Sequence, residues 1–182
     1  MGIMLKSEKE HLKEDRKIYP PFLVEGFKKI REEIRAEEET GKTIPYKRKK
    51  LADFIQLFRA IWIISSKVYQ EKYWIQQQPP IVGDNYMETM ETFLSDGEGV
   101  LEANDARRIS MTPKQREMLQ KLYNMVEDFE LAEDTPEDPG HGVNDAEIIS
   151  HPKWHQIQDY AKLVYEELSG DDLNAWEKSK PK

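Results

Sequence analysis

The spacing of the apolar residues constrains this chain more than any other feature. They recur three and four positions apart, as in the stripe Leu23, Phe27, Ile30 and Ile34, and no stretch alternates apolar and polar residues over six positions. A period of three to four places apolar side chains on one face of a helix. The sequence therefore predicts an all-α fold, a helical bundle of about six or seven helices with one long central helix.

The central helix is predicted from about Arg48 to Gln76. Its apolar residues cover one face and widen beyond it, which is typical of a buried helix. Pro79 and Pro80 follow three glutamines and end it, because a residue before proline is disfavoured in the α region. The stripe is Leu51, Phe54, Ile55, Phe58, Ile61, Trp62, Val68 and Tyr69, with Leu57, Ile63 and Ile64 beside it.

Local signals predict several other helix ends. Ser7 with Glu10 and Thr112 with Gln115 have the spacing of capping boxes. Glycines after apolar stripes are typical helix stops. Asp84 is predicted to cap a short helix, which Gly97 and Gly99 would end.

The 182 residues suit one domain with a real core. We expect residues 1–19 to form a charged surface arm or helix and residues 20–170 to form the bundle. Within the bundle, residues 133–145 combine proline, glycine and acid, which predicts a mobile acidic loop. Residues 171–182 are expected to be a C-terminal tail.

Composition narrows the class of protein. The chain has no cysteine, which excludes disulfides and thiolate sites and fits a reducing compartment. Its N-terminus lacks the apolar core of a signal peptide. The longest apolar stretch, 54–64, contains Gln56 and Arg59 and is too short to cross a bilayer. These features predict a cytoplasmic protein with no membrane contact.

The net charge of -8 is unevenly distributed. Residues 42–121 contain thirteen basic and ten acidic side chains, whereas residues 122–182 contain five and fifteen. A basic middle can meet an anion, and an acidic end can engage a basic partner or only keep the chain soluble.

The basic middle contains the most suggestive cluster. A row of cations with an aromatic neighbour can track a phosphate backbone while the ring stacks on a base. A solvated helix start is the alternative interpretation, although lysines are unfavourable at the positive end of a helix. The candidate nucleic-acid contacts are Lys42, Tyr46, Lys47, Arg48, Lys49, Lys50, Arg59 and Lys67, together with Arg107 and Arg108 from a second basic group that continues to Lys114, Arg116 and Lys121.

Catalytic and metal-binding patterns are weak. Gly41, Lys42 and Thr43 resemble the end of a phosphate-binding loop, but a Glu-rich segment precedes them, so we interpret them as a helix stop. His151, His155 and Asp159, spaced four residues apart, suit either a metal site or a hydrated helix face. We therefore expect a binding protein and not an enzyme, with no cofactor, no metal and no small-molecule substrate.

Two tryptophans near predicted element ends, Trp74 and Trp176, are candidate partner contacts. Aromatic residues are enriched at protein interfaces. For Trp62 and Trp154 we expect core packing.

A cysteine-free helical chain of this size, with the segment Pro45-Tyr46-Lys47-Arg48-Lys49-Lys50 before a central aromatic helix, resembles the small subunits of type I CRISPR effector complexes. More narrowly, it resembles the helical C-terminal part of a type I-D large subunit, which that family also makes as a separate chain. The resemblance implies several copies beside one another, contacts with other protein subunits and guide RNA nearby, and displaced single-stranded DNA held by basic residues. The rival hypothesis is a helical protein-interaction module or viral inhibitor whose acidic end engages a basic partner.

Overall fold

A computed structural model gives the fold and describes residues 6–45, 48–133, 135–136 and 144–181. Within these ranges the chain forms nine α-helices, a 3-10 turn (Leu51–Asp53) and a π-helix (Gln70–Ile75), and it forms no β-strand. The predicted all-α class is confirmed. The α-helices are α1 (Glu8–Ile18), α2 (Pro21–Thr40), α3 (Ile55–Ser65), α4 (Lys67–Tyr69), α5 (Tyr86–Asp105), α6 (Pro113–Leu131), α7 (Asp145–Ser150), α8 (Pro152–Ser169) and α9 (Leu173–Ser179).

The centre of the bundle is α3. It packs against α5 and α8, and α6 packs against both of these in turn. Eight of its eleven residues are buried, on all sides of the helix, because its sequence IQLFRAIWIIS is apolar nearly all round. Phe58, at 0% exposure, lies in the middle of this core.

The predicted helix from Arg48 to Gln76 is shorter and interrupted. Residues 48–50 are not helical, because the Asp53 carboxylate accepts the Lys50 amide at 2.7 Å and forms a local turn instead. At the other end, Ser66 takes an extended conformation after α3, and its hydroxyl accepts the Tyr69 amide at 3.2 Å. The chain then continues as α4 and the π-helix.

Gln70 makes this interruption possible. Its side-chain amide nitrogen donates to the carbonyl oxygens of Ile63 and Ile64, both at 2.8 Å. Its oxygen accepts from Trp154 Nε1 at 3.1 Å and from Gln158 Nε2 at 2.7 Å. One buried side chain thus satisfies the last carbonyls of α3 and joins them to α8.

The helix predicted to start at Asp84 begins one residue later and is longer. Asn85 caps it, accepting the Glu88 amide at 2.9 Å, and α5 continues through Gly97 and Gly99. At Gly97 a Cβ would lie 3.4 Å from the ring of Tyr123 on α6, an ordinary van der Waals distance. Gly97 is a buried residue inside α5 and does not stop the helix.

Residues 1–19 were expected to form a charged surface arm or a helix, and their described part contains the helix α1. The capping box at Ser7 and Glu10 is present, and α1 buries no residue. The segment docks on α2 through Arg31, whose guanidinium lies 3.0 Å from a Glu8 carboxylate oxygen and 2.8 Å from one of Asp15.

Two of the predicted boundaries fall near buried residues. The acidic loop 133–145 lies largely outside the described residues, but Asp145 is buried at the start of α7, where its carboxylate accepts the Tyr86 amide at 3.1 Å. In the tail, the Asp171 carboxylate accepts the Phe22 amide at 3.1 Å and the Tyr165 hydroxyl at 2.8 Å. Residue 171 therefore contacts both α2 and α8.

Candidate nucleic-acid interface

The segment after α2 places cations in solvent. Gly41 ends α2 in the left-handed region (φ 63°), as expected of a helix stop. The described part of the segment that follows has no helix up to residue 50, and the side chains of Lys42, Arg48, Lys49 and Lys50 are exposed. Tyr46 and Lys47, two of the predicted contacts, lie outside the described residues.

The end of α5 contributes two more exposed cations. Arg107 has a positive φ of 58°, which is uncommon for a residue other than glycine. The Arg108 amide donates to the Ala103 carbonyl at 2.7 Å, closing the helix end. Ile109, the next residue, is buried at 6% exposure, so the chain turns inward directly after the two arginines.

Arg48 joins these two regions. Its Nε donates to the Arg108 carbonyl oxygen at 3.0 Å, and its Nη2 donates to the Arg107 carbonyl oxygen at 2.7 Å. The sequence separation is 59 and 60 residues, yet the contact brings the two predicted basic groups together. We call Arg48, Lys49, Lys50, Arg107 and Arg108 the basic surface.

The side chains of the basic surface form no direct ion pair within the described part of the chain. None of its five side chains lies within 4.0 Å of a described carboxylate. Lys49 Nζ lies 5.2 Å from the centre of the Phe54 ring, an attraction that leaves its charge intact. Lys42 is likewise unpaired among those residues, but no contact joins it to the basic surface.

Arg59 has a different environment from the one predicted. It is mostly covered, and its Nη2 donates to the Tyr69 hydroxyl at 2.9 Å and lies 3.5 Å from Asp84 Oδ2. Burial raises the pKa of the Tyr69 hydroxyl far above its usual range, so this hydroxyl stays protonated and donates a hydrogen bond to Asp84 Oδ2 at 2.6 Å. The prediction that Arg59 contacts nucleic acid is therefore corrected. Its guanidinium is bonded to Tyr69 and Asp84 within the fold.

Of the remaining predicted cations, three are paired with carboxylates and Lys121 contacts an aromatic ring. Lys67 lies beyond the break at Ser66, off the helix that contains Arg59, and pairs with Glu71 at 3.7 Å. In the second basic group, Arg116 Nε lies 2.8 Å from an Asp105 oxygen. Lys114 is 2.9 Å from Glu167, and Lys121 lies 4.6 Å from the centre of the Tyr160 ring.

The two candidate interface tryptophans are both in contact with the core. Trp74, at 3% exposure, lies between Tyr86 and Trp154, so the prediction that it is exposed is wrong. Its position in the π-helix turns it inward. Trp176 is half-buried, 5.9 Å from the ring centre of Trp62. The prediction that Val68 belongs to the buried stripe is wrong, because its side chain is 71% exposed; Val82 and Leu131, which the sequence did not identify, are 71% and 78% exposed.

The two histidines of the candidate metal site, His151 and His155, form hydrogen bonds within the chain. His151 Nδ1 accepts the Lys153 amide at 3.2 Å, and His155 Nε2 lies 2.9 Å from the Ile149 carbonyl oxygen. In the described ranges, no three His, Cys, Asp or Glu side chains are grouped as metal ligands would be. Across the same ranges, no helix combines the length and the apolar character needed to cross a bilayer.

Arg48 shows what sequence reasoning missed. The cluster itself was recognisable, but the residue that joins it to Arg107 and Arg108 was grouped with the free cations. The only sequence signal for the role is the presence of a second basic group after a helix end.

No protein-family model, no curated protein and no solved structure matches this chain.

Proposed function

We propose that this chain is a non-catalytic binding protein that holds the phosphate backbone of single-stranded nucleic acid on its basic surface. One observation carries the proposal. Arg48 brings two separate basic segments together, and their charges have no carboxylate partner within 4.0 Å among the described residues.

The contrast with the paired cations supports the proposal. Among the other cations of the basic middle, Arg59, Lys67, Lys114 and Arg116 each have an acidic partner within 4.0 Å, whereas Lys42, Lys72 and Lys121 have none among the described residues. What distinguishes the basic surface is that Arg48 joins its cations across two separate segments. Exposed cations without partners can neutralise phosphates and release counterions, which is the main source of sequence-independent affinity.

The finer proposal is that the chain is one of several copies in a nucleoprotein complex, a small subunit of a type I CRISPR effector that holds displaced single-stranded DNA. It rests on the sequence resemblance. A single copy with five cations and an overall negative charge should bind weakly, and several copies along one strand would raise the affinity. Purifying the chain from its host and identifying the proteins and nucleic acid that come with it tests this proposal.

The backbone-binding proposal is tested by charge removal. In one variant Lys49, Lys50, Arg107 and Arg108 are all changed to Gln. The control variant changes Lys67, Lys114, Arg116 and Lys162 to Gln, four cations that pair with carboxylates, so the net charge falls by the same amount. Binding to an oligothymidylate longer than a footprint of about 16 nucleotides is measured by fluorescence anisotropy between about 50 and 200 mM salt.

For single strands, the logarithm of the binding constant falls with the logarithm of the salt concentration, and each neutralised phosphate adds about 0.7 to the size of this slope. Near 0.15 M salt this corresponds to about fourfold in affinity per phosphate. Removing four contacts should therefore weaken binding by roughly 200-fold and lower the slope by about 2.8. The control should lose much less. Equal losses in both variants, or none in the first, would overturn the proposal and favour a protein-interaction module that uses its acidic end, residues 122–182.

A further inference from the structure

Arg48 differs from the other cations of the basic surface because its guanidinium is already bonded. Two of its donors are satisfied by backbone carbonyls, at 3.0 Å and 2.7 Å. Both carbonyls belong to residues just after α5, which ends at Asp105. The carbonyls at a helix end lack partners within the helix, and the negative end of the helix dipole attracts a cation. This environment accounts for an arginine fork at that place.

No other described hydrogen bond joins residues 42–50 to the end of α5. The remaining bonds of the segment are local, such as the Lys42 amide to the Thr40 hydroxyl at 3.3 Å and the Ile44 amide to Glu37 at 3.0 Å. The Lys50 amide is bonded to Asp53, three residues away. Leu51 and Phe54 pack against the core and hold the C-terminal side of this segment, whereas Arg48 makes the described hydrogen bonds that link it to the end of α5.

We propose that Arg48 is a positioning residue, which holds Lys49 and Lys50 beside Arg107 and Arg108 so that the four cations bind phosphates as one surface. This inference rests on the proposed function. Fixing two cationic segments before binding removes the entropic penalty of ordering them on the ligand. Without the bridge, each pair would have to bind as a separate short site.

Arginine-to-lysine changes separate this role from a direct phosphate contact. A lysine keeps the positive charge but cannot donate two bonds in a planar fork. Arg48→Lys and Arg48→Ala should therefore behave alike. Each should weaken oligothymidylate binding about 15-fold near 0.15 M salt and lower the salt slope by about 1.4, the loss of two phosphate contacts. The matched pair is Arg108→Lys and Arg108→Ala, where lysine should retain affinity and alanine should lose about fourfold.

Limited trypsin digestion without nucleic acid gives a second readout. Cleavage after Lys49 and Lys50 should be at least several-fold faster in both Arg48 variants than in the wild type and Arg108→Lys, because the segment is released from α5. Melting temperatures should stay close to the wild type, since Arg48 is exposed.

The outcomes separate the two proposals. If Arg48→Lys keeps wild-type affinity, or if digestion is unchanged in Arg48→Ala, the positioning role is overturned while the basic surface can still bind. If the wild type itself binds no oligothymidylate at about 50 mM salt, the proposed function fails and the positioning role fails with it.

Discussion

Two helices of this protein have the same length and opposite modes of attachment. Both α1 and α3 contain eleven residues, but α3 buries eight of them and α1 buries none. What holds α3 is apolar contact with α5 and α8. What holds α1 is the ion pairs of Arg31 with Glu8 and Asp15, together with the partial burial of Leu12 and Ile18. The length of a helix therefore does not decide how firmly it is held in this fold. The number of its apolar side chains that are buried does.

The largest effect is expected from Phe58→Ala in α3. Phe58 is fully buried, so its removal leaves a cavity in the packed core and should lower the free energy of unfolding by about 3 to 5 kcal/mol. Urea denaturation followed by far-ultraviolet dichroism measures the change. An equivalent apolar deletion in α1, Leu12→Ala, serves as the control and should cost much less, because Leu12 is only partly buried. A loss below about 1 kcal/mol for Phe58→Ala would mean that α3 is not the core.

The next effect tests how the end of α3 is held. Gln70→Ala removes four buried hydrogen bonds at once and leaves Trp154 Nε1, Gln158 and the carbonyls of Ile63 and Ile64 without this partner. Unsatisfied buried polar groups are unfavourable, so we expect a loss of about 2 to 4 kcal/mol.

Gln120→Ala is the control for this prediction, because Gln120 bonds Asn124 on the surface. It should change stability by about 0.5 kcal/mol or less. Similar losses for the two glutamines would show that the break after α3 does not depend on Gln70.

The smallest effect is expected in α1. Arg31→Met removes the contacts of the guanidinium with Glu8 and Asp15 and should weaken the docking of α1 by about 1 kcal/mol, since the pair is partly solvated. Hydrogen exchange should become faster in α1 but not in α3. Faster exchange in both helices would contradict the separation between them.

Acid should release α1 in the same way. The hydrogen bond with Arg31 lowers the pKa of Glu8 below its usual value. A carboxylate with a lowered pKa stabilises the folded state above its unfolded pKa, about 4.3, and this contribution is lost as the pH falls through the folded pKa. Protection factors in α1, which correct for the intrinsic pH dependence of exchange, should therefore be high at pH 5 to 7 and lower below about pH 4, and Arg31→Met should remove most of this change.

Local signals in the sequence were sufficient for the fold class and for several helix ends. The capping boxes at Ser7 and at Thr112 need only residues three positions away, and both are present. The break at Ser66 was not predictable in this way, because Gln70 completes it with Gln158, 88 residues further along the chain. Gly97 was mistaken for a helix stop because glycine is common at helix ends, whereas here it is buried inside α5.

The same distinction applies to the candidate site. The sequence identified the cations near residues 48–50 and 107–108, since clustering is a local property. It could not separate Arg59 from them, because the partner Asp84 comes from a different element. Nor could it assign Arg48 to a carbonyl 60 residues away.

The packing of α3 against α8 has a consequence for protein synthesis. The most apolar helix, Ile55–Ser65, leaves the ribosome before α8, which begins at Pro152 and supplies much of its cover. At usual translation rates of about 5 to 20 residues per second, this interval is roughly 4 to 17 s. During that time the nascent chain presents an uncovered apolar helix, which is the kind of segment that chaperones bind and that promotes aggregation when a message is truncated before α8.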